Sequence, residues 1–242
     1  MLARTYISAL DIGAEADFAL EDWRCALQRL DAILAAKRAL QRPDYEIARS
    51  RMSRANALIC MPGRFAEAKA ELEACLQVFS HDPARRARTL SSLADLFSRQ
   101  GDWAQARAQE RRALALREQL PDPADRAISH GNLSNYLQRQ ATPQALAEAP
   151  RHQLAALVYR LVAGLGQLLQ TSLRNYAIGF RQAQSTDTSI TIPRLADLLA
   201  DPAFDPLERW LRQRGVNLTE LQAAIDDFIA QARQAAQNPP PS

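Results

Sequence analysis

Apolar residues return every three to four positions along most of this chain, in blocks separated by short polar turns. That is the period of helices buried along one face. The clearest block runs from Ala87 to Glu118, ARTLSSLADLFSRQGDWAQARAQERRALALRE. Leu90, Leu93, Ala94 and Phe97 form a stripe before Gln100-Gly101-Asp102, and Ala106, Ala113, Leu114 and Leu116 form one after it. The spacing predicts two amphipathic helices meeting at a turn, with Gly101 supplying the left-handed backbone that ends the first. Trp103 follows just past the glycine.

The rest of the chain repeats this block imperfectly. Glu21-Asp22-Trp23-Arg24-Cys25-Ala26-Leu27 aligns with Gly101-Asp102-Trp103-Ala104-Gln105-Ala106-Arg107, and Ile33-Leu34 with Ala113-Leu114. A second copy spans Tyr45–Cys60 and Arg64–Phe79, with Gly63 at its turn, Phe65 at the aromatic position and Ala68, Leu72, Cys75 and Leu76 inward. A fourth begins at Ala124, where Asn132–Gln140 aligns with Ser92–Gln100. Trp23 to Phe65 is 42 residues, Gly63 to Gly101 is 38 and Leu93 to Leu133 is 40. Self-similarity at this period marks stacked helical hairpins, because one hairpin cannot bury its own apolar face. Proline turns at Pro43, Pro83, Pro121 and Pro123 separate the copies.

These residues resemble tetratricopeptide repeats over about Leu20 to Gln140. The family pattern reads Leu90, Leu93, Ala94, Phe97, Ala106 and Ala113 in the third copy, and Met52, Ala55, Asn56, Ile59, Ala68 and Cys75 in the second. Glu110 stands where a large apolar residue is usual, and Asn56 where a small one is. TLSSLADLF…QGDWAQA…RALALRE is most similar to the longer repeats typified by kinesin light chains. The resemblance implies an all-α fold, an α-α superhelix, with a concave surface lined by the first helix of each hairpin.

The expected organisation is a repeat array over 1–184, with hairpins at about 2–39, 45–79, 85–118 and 124–150 and a divergent one at 151–184. Pro150 is expected to break or restart the helix begun at Thr142-Pro143. In the divergent hairpin, Leu154, Leu157, Val158, Leu161 and Val162 would face Leu168, Leu169, Leu173, Tyr176, Ala177 and Phe180. A C-terminal helical module is expected over 185–237, after a polar linker at Ser185–Thr191. Its short helices would lie near Pro193–Leu199 and Pro206–Arg214, with a longer one at Leu218–Ala235. NPPPS, at 238–242, reads as a disordered tail.

Composition changes this picture little. Ala, Leu, Gln, Arg and Glu suit stacked helices, and nearly every basic residue is arginine, Lys37 and Lys69 being the exceptions. That bias reads as the nucleotide composition of a GC-rich, bacterial genome. A net charge of +3 gives no expectation of nucleic acid or a membrane surface as partner. Cys25, Cys60 and Cys75 cannot all pair, and each lies in an apolar helical pattern, as free thiols of a cytoplasmic protein do. The N-terminus turns acidic before a signal-peptide core forms, and Leu154–Leu169 is too short and polar to span a bilayer.

Catalytic groups do not converge in sequence. His81, His130 and His152 match no metal-ligand spacing, so no metal or cofactor is expected. His130, flanked by small and polar residues, is the most site-like of them, although a groove-lining or hydrogen-bonded role outweighs catalysis. Gly164-Leu165-Gly166 lacks a preceding strand and reads as a helix junction. The clusters Arg85, Arg86, Arg88 and Arg111, Arg112, Arg117 read first as solvated helix faces.

The concave surface implied by the repeat resemblance carries the functional reading. Counted from the turn glycine, the third copy presents Arg88, Ser91, Asp95, Ser98 and Arg99. The fourth presents Ile128, Gly131, Asn135, Gln138 and Arg139, and the second Ser50, Ser53, Ala57 and Cys60. Arg99 and Arg139 occupy equivalent positions, as do Asp95 and Asn135. Such arginines suit bidentate pairing with a partner's carboxylates, and Asn135 suits peptide backbone. The expected function is a non-catalytic protein–protein interaction scaffold for a peptide or partner helix, its oligomeric state left open. The alternative is a regulatory or sensor segment beside a signalling or nucleotide-binding domain, favoured by an exposed apolar face on Leu154–Phe180. An enzyme, the third alternative, requires a deep pocket gathering His130 with a carboxylate.

Overall fold

Short polar side chains cap the helices that start at Trp23, Pro83, Trp103, Pro123 and Pro143. A computed structural model describes the backbone of residues 2–185 and 191–237, and the side chains of 5–181 and 191–237. Among them are twelve α-helices: α1 Leu2–Ala19, α2 Trp23–Ala39, α3 Asp44–Ile59, α4 Phe65–Val78, α5 Pro83–Arg99, α6 Trp103–Arg117, α7 Pro123–Gln140, α8 Pro143–Val162, α9 Gly166–Ser185, α10 Leu195–Leu199, α11 Asp205–Gln213 and α12 Leu218–Gln237. A single 3-10 turn, Pro202–Phe204, precedes α11. The carboxylates of Asp22, Asp82, Asp102 and Asp122 accept from the backbone N–H of Cys25, Arg85, Gln105 and Ala124 at 2.9–3.1 Å. Each satisfies an amide that the helix itself leaves without a partner.

The repeat period is written in these turns. Asp82-Pro83 and Asp122-Pro123 open the first helices of the third and fourth hairpins, and Asp22-Trp23 and Asp102-Trp103 open the second helices of the first and third. The left-handed residue between the paired helices is Glu21, Gly63, Gly101 or Ala141, at φ of 55°, 81°, 79° and 55°. Two of the four are therefore not glycine.

The chain forms two compact units, 1–120 and 121–242. In the first, α1 packs on α2, α3 on α4 and α5 on α6, while α2–α3 and α4–α5 contacts join neighbouring pairs. Ala55, Leu58, Ala68, Leu72, Leu93 and Leu96 make one core across α3, α4 and α5. Arg54 ties the first pair to the second. Its guanidinium reaches Asp31 of α2 at 2.6 Å and Glu67 and Glu71 of α4 at 2.8 and 3.1 Å. This is the all-α, stacked-hairpin architecture of a tetratricopeptide-like solenoid.

In the second unit α7 packs on α8, α8 on α9, and α12 on both α8 and α9. Helix α8 runs through Pro150 without interruption, which corrects the expected break. Proline in a helix interior costs about 3 kcal/mol. Ala145 and Ala149 before it and Leu154, Ala155 and Leu157 after it are all buried, and this burial on both sides offsets the penalty. The fourth hairpin is therefore α7–α8, and 151–184 is not a hairpin of its own.

The same unit shows why no separation falls near 184. Leu154, Leu157, Tyr176 and Phe180 share one core with Leu198, Phe204, Leu207, Trp210, Ile225 and Phe228. The Leu154–Phe180 face is sealed by the following helices and is not an exposed docking surface. Most of the expected linker at 185–191 and all of the expected tail at 238–242 lie outside the described residues.

Candidate interaction surface

Helix α5 has two sharply different faces. Ala87, Leu90, Leu93, Ala94 and Leu96 are buried, whereas Arg88 and Arg99 are exposed and Asp95 is half-buried between them. Asp95 and Arg99 pair along the helix, Arg99 Nε donating to Asp95 Oδ2 at 3.1 Å. The acid stands four residues before the base and the base in the last turn, the order favoured by both pair geometry and helix dipole. Ser98 Oγ donates to the Asp95 carbonyl at 2.8 Å and stays within its own turn.

Ser91 is turned away from this surface. Its hydroxyl donates to Glu110 Oε1 at 3.0 Å, inside the α5–α6 pair. Glu110 is completely buried and is held by Arg117 Nη1 at 3.1 Å. The residue that departs from the family pattern is thus the acceptor of a buried polar cluster, and Ser91 belongs to that cluster.

Helix α3 lies beside α5. Thr89 Oγ1 is 3.4 Å from Met52 Sδ, and Cys60 and Arg99 act on each other electrostatically at the C-terminal ends of the two helices. Burial is the main influence on the Cys60 thiol and raises its pKa. Two of the expected lining residues on α3 are covered instead. Ser50 is buried and accepts from Lys37 Nζ at 2.8 Å, and Ala57 packs with Leu30 and Ile33 of α2. The first hairpin occupies that side of α3. Ser53 is half-buried and donates to the Arg49 carbonyl at 3.4 Å.

In the second unit, α7 repeats the division of α5. Ala127, His130, Leu133, Tyr136 and Leu137 are buried, while Ile128, Asn135, Gln138 and Arg139 are exposed. Gln138 Nε2 reaches Ser134 Oγ at 3.3 Å. Gly131 is half-buried, and the Arg160 guanidinium lies in the space where a side chain at 131 would point.

His130 does find company, but not a carboxylate. Its Nδ1 is 2.8 Å from Nδ1 of His152, and its ring stacks on Tyr159 and Phe204, each centroid 5.8 Å away. Glu148 Oε1 stands 3.3 Å from the other nitrogen of His152. Both histidines are buried, and burial, then the neighbouring His152, holds the His130 pKa well below the ordinary histidine value. Nothing in the sequence spacing marked this pair, because the contact joins two helices across 22 residues.

Two open surface clefts lie in the first unit, one floored by Leu76, Leu93 and Phe97, the other between α1 and the α2–α3 turn. Neither includes a histidine. Among the described residues, no three His, Cys, Asp or Glu side chains converge as a metal ion would require, and no helix is long and apolar enough to cross a membrane.

Fold and surface together define an α-helical repeat protein that presents polar side chains from the first helix of its hairpins. Residues 46–119, which cover α4, α5, α6 and nearly all of α3, match the tetratricopeptide repeat family model. A comparison with curated proteins returned no match.

Proposed function

We propose that the chain is a non-catalytic protein–protein interaction scaffold of the cytoplasm, its repeats of the longer kinesin-light-chain-like subtype. The partner is an extended peptide or a helix carrying carboxylates. The anchors proposed in the first unit are Arg88, Asp95 and Arg99 on α5, and those proposed in the second, taken by themselves, are Asn135, Gln138 and Arg139 on α7. Ser91 acts behind this surface by fixing Glu110 and does not face the partner.

The observation that carries this reading is the two-faced character of α5 inside the stretch that matches the tetratricopeptide model. Its apolar face is consumed by the hairpin stack, and its other face offers charge at Arg88, Asp95 and Arg99. The Asp95–Arg99 pair has side chains 48 % and 45 % exposed, so it is weak, on the order of 0.3–0.5 kcal/mol. A partner carboxylate binding Arg99 bidentately displaces it at little cost. A preformed helical surface also binds without the ordering penalty of a flexible one.

The regulatory alternative called for an exposed apolar face on Leu154–Phe180, and that face is buried. The enzyme alternative called for His130 in a pocket with a carboxylate, and His130 instead meets His152 inside a packed core.

The test is a pull-down from a native lysate followed by titration of the purified partner. Arg99→Glu and Arg139→Glu together are expected to weaken binding by at least about tenfold, the loss that follows when a charge-assisted bond becomes a repulsion. A partner bound equally well by the double variant overturns the assignment of anchors.

A further inference from the structure

The second unit buries a cation that no acid in the described structure neutralises. Arg160, near the end of α8, is 8 % exposed. Its Nη1 donates to Ser172 Oγ of α9, and its Nη2 lies 3.5 Å from the Ala127 carbonyl of α7. Both acceptors are neutral, and that carbonyl already lies within the hydrogen-bonded body of α7. Arg160 Nε is buried without an acceptor. So is the hydroxyl of Tyr176, which is 3 % exposed and one turn beyond Ser172 on α9. Arg160 and Tyr176 are close enough to act on each other electrostatically.

These groups make the junction of α7, α8 and α9 rich in donors and poor in acceptors. A guanidinium does not shed its proton inside a protein, so burial cannot be relieved by neutralisation. An isolated buried charge is among the most costly features a core can hold. Water accepts a hydrogen bond but supplies no counter-charge. On the α7 side the guanidinium is pressed against backbone, since a Cβ at Gly131 would stand 3.3 Å from Nη2. Nε is the guanidinium nitrogen left without an acceptor, and only a small ligand suits a place so enclosed.

We propose that this junction is a binding site for a small inorganic anion of the chloride class, held by Arg160 Nε and the Tyr176 hydroxyl. The Ser172 hydroxyl, which accepts from Arg160 and keeps its own hydrogen, fixes the guanidinium. The anion completes the core of the second unit and makes its stability depend on chloride, whatever partner the polar surface takes.

The experiment is urea denaturation of the full chain, with sodium gluconate replaced stepwise by sodium chloride at constant ionic strength. The wild-type midpoint is expected to climb and then follow the logarithm of chloride concentration, as for a ligand that binds the folded state alone. Arg160→Met is expected to show the same midpoint in both salts, and Tyr176→Phe to need several-fold more chloride for the same rise. A wild-type midpoint indifferent to the salt, or an Arg160→Met variant that keeps the dependence, overturns the site. Should Arg160→Met fail to fold, chloride NMR linewidths on the wild type decide. Excess broadening that bromide competes away supports the site, and no excess broadening overturns it.

Discussion

The Nδ1 atoms of His130 and His152 lie 2.8 Å apart in the core between α7 and α8. One must donate and the other accept, so the pair is satisfied only while at least one ring is neutral. Burial, and then the neighbouring His152, holds His130 neutral by lowering its pKa well below the ordinary value.

The sign of the pH dependence follows. As pH falls through about 6.5, His130 of the unfolded chain takes up a proton that the folded chain refuses. Stability is therefore fully present above that range and is lost on acidification, by up to about 1.4 kcal/mol per pH unit for this one group. His130→Asn keeps a polar atom toward His152 and removes the titration. Urea unfolding at stepped pH is expected to show a shallower acid-side slope for the variant. Equal slopes would mean that His130 is not the group responsible.

Glu110 and Arg117 offer a test by deletion and by replacement. The acid is fully buried and the base nearly so, 3.1 Å apart, with Ser91 donating to the same oxygen. Arg117→Met alone is expected to cost about 3–5 kcal/mol, because a buried carboxylate loses its counter-charge. Glu110→Leu with Arg117→Met restores the apolar residue usual at 110 in these repeats and is expected to be near neutral or stabilising. A double variant as damaged as the single one would show that the pair positions α5 against α6 in a way packing cannot replace.

How far these features were legible depends on whether they are local. Trp23 and Trp103, Gly101 and the alternation of Leu90, Leu93 and Phe97 fix helices and turns through neighbours a few residues away, and the hairpins follow from them. The exposure of Arg88 and Arg99 on α5, and of Asn135 and Arg139 on α7, was legible for the same reason, each as the complement of its own helix's apolar face. Pro150 misleads because its local cost is outweighed by burial on both sides of it, which only the packed α7–α8–α9 core supplies. Ser91, Ser50 and Ala57 fail as surface residues because the adjoining helices, not their own helix, decide what is covered. The His130–His152 contact and the seat of Arg160 join separate helices, and neither leaves a periodic trace.

The left-handed turn residues allow a prediction in which no contact changes. Ala141 and Glu21 sit at φ of 55°, where a β-carbon crowds the following carbonyl at a cost of about 1–2 kcal/mol. Ala141→Gly relieves that crowding and loses part of the gain to the freer unfolded chain. Each glycine variant is expected to raise stability by about 0.5–1 kcal/mol, read from the urea midpoint at unchanged slope. A loss at Glu21→Gly would show that its side chain contributes more than its backbone strain costs.

Pro150 supplies the complementary case, a backbone donor that is missing where a helix needs one. It stands at the eighth position of α8, so the Leu146 carbonyl one turn earlier receives no amide from it. Leu146 is 49 % exposed, which lets water serve that carbonyl, while Ala149 beside the proline is 1 % exposed and holds the helix against α7 through the Leu137–Ala145–Ala149 cluster. Pro150→Ala restores the donor and removes the ring from the preceding turn. The variant is expected to stabilise the second unit by about 1–3 kcal/mol, the lower bound reflecting the greater freedom of the unfolded chain without the proline. Hydrogen exchange of the α8 amides locates the effect, and slower exchange on both sides of 150 is the expected result. A destabilised variant would mean that the α7–α8 interface is shaped around the proline ring and packs poorly without it.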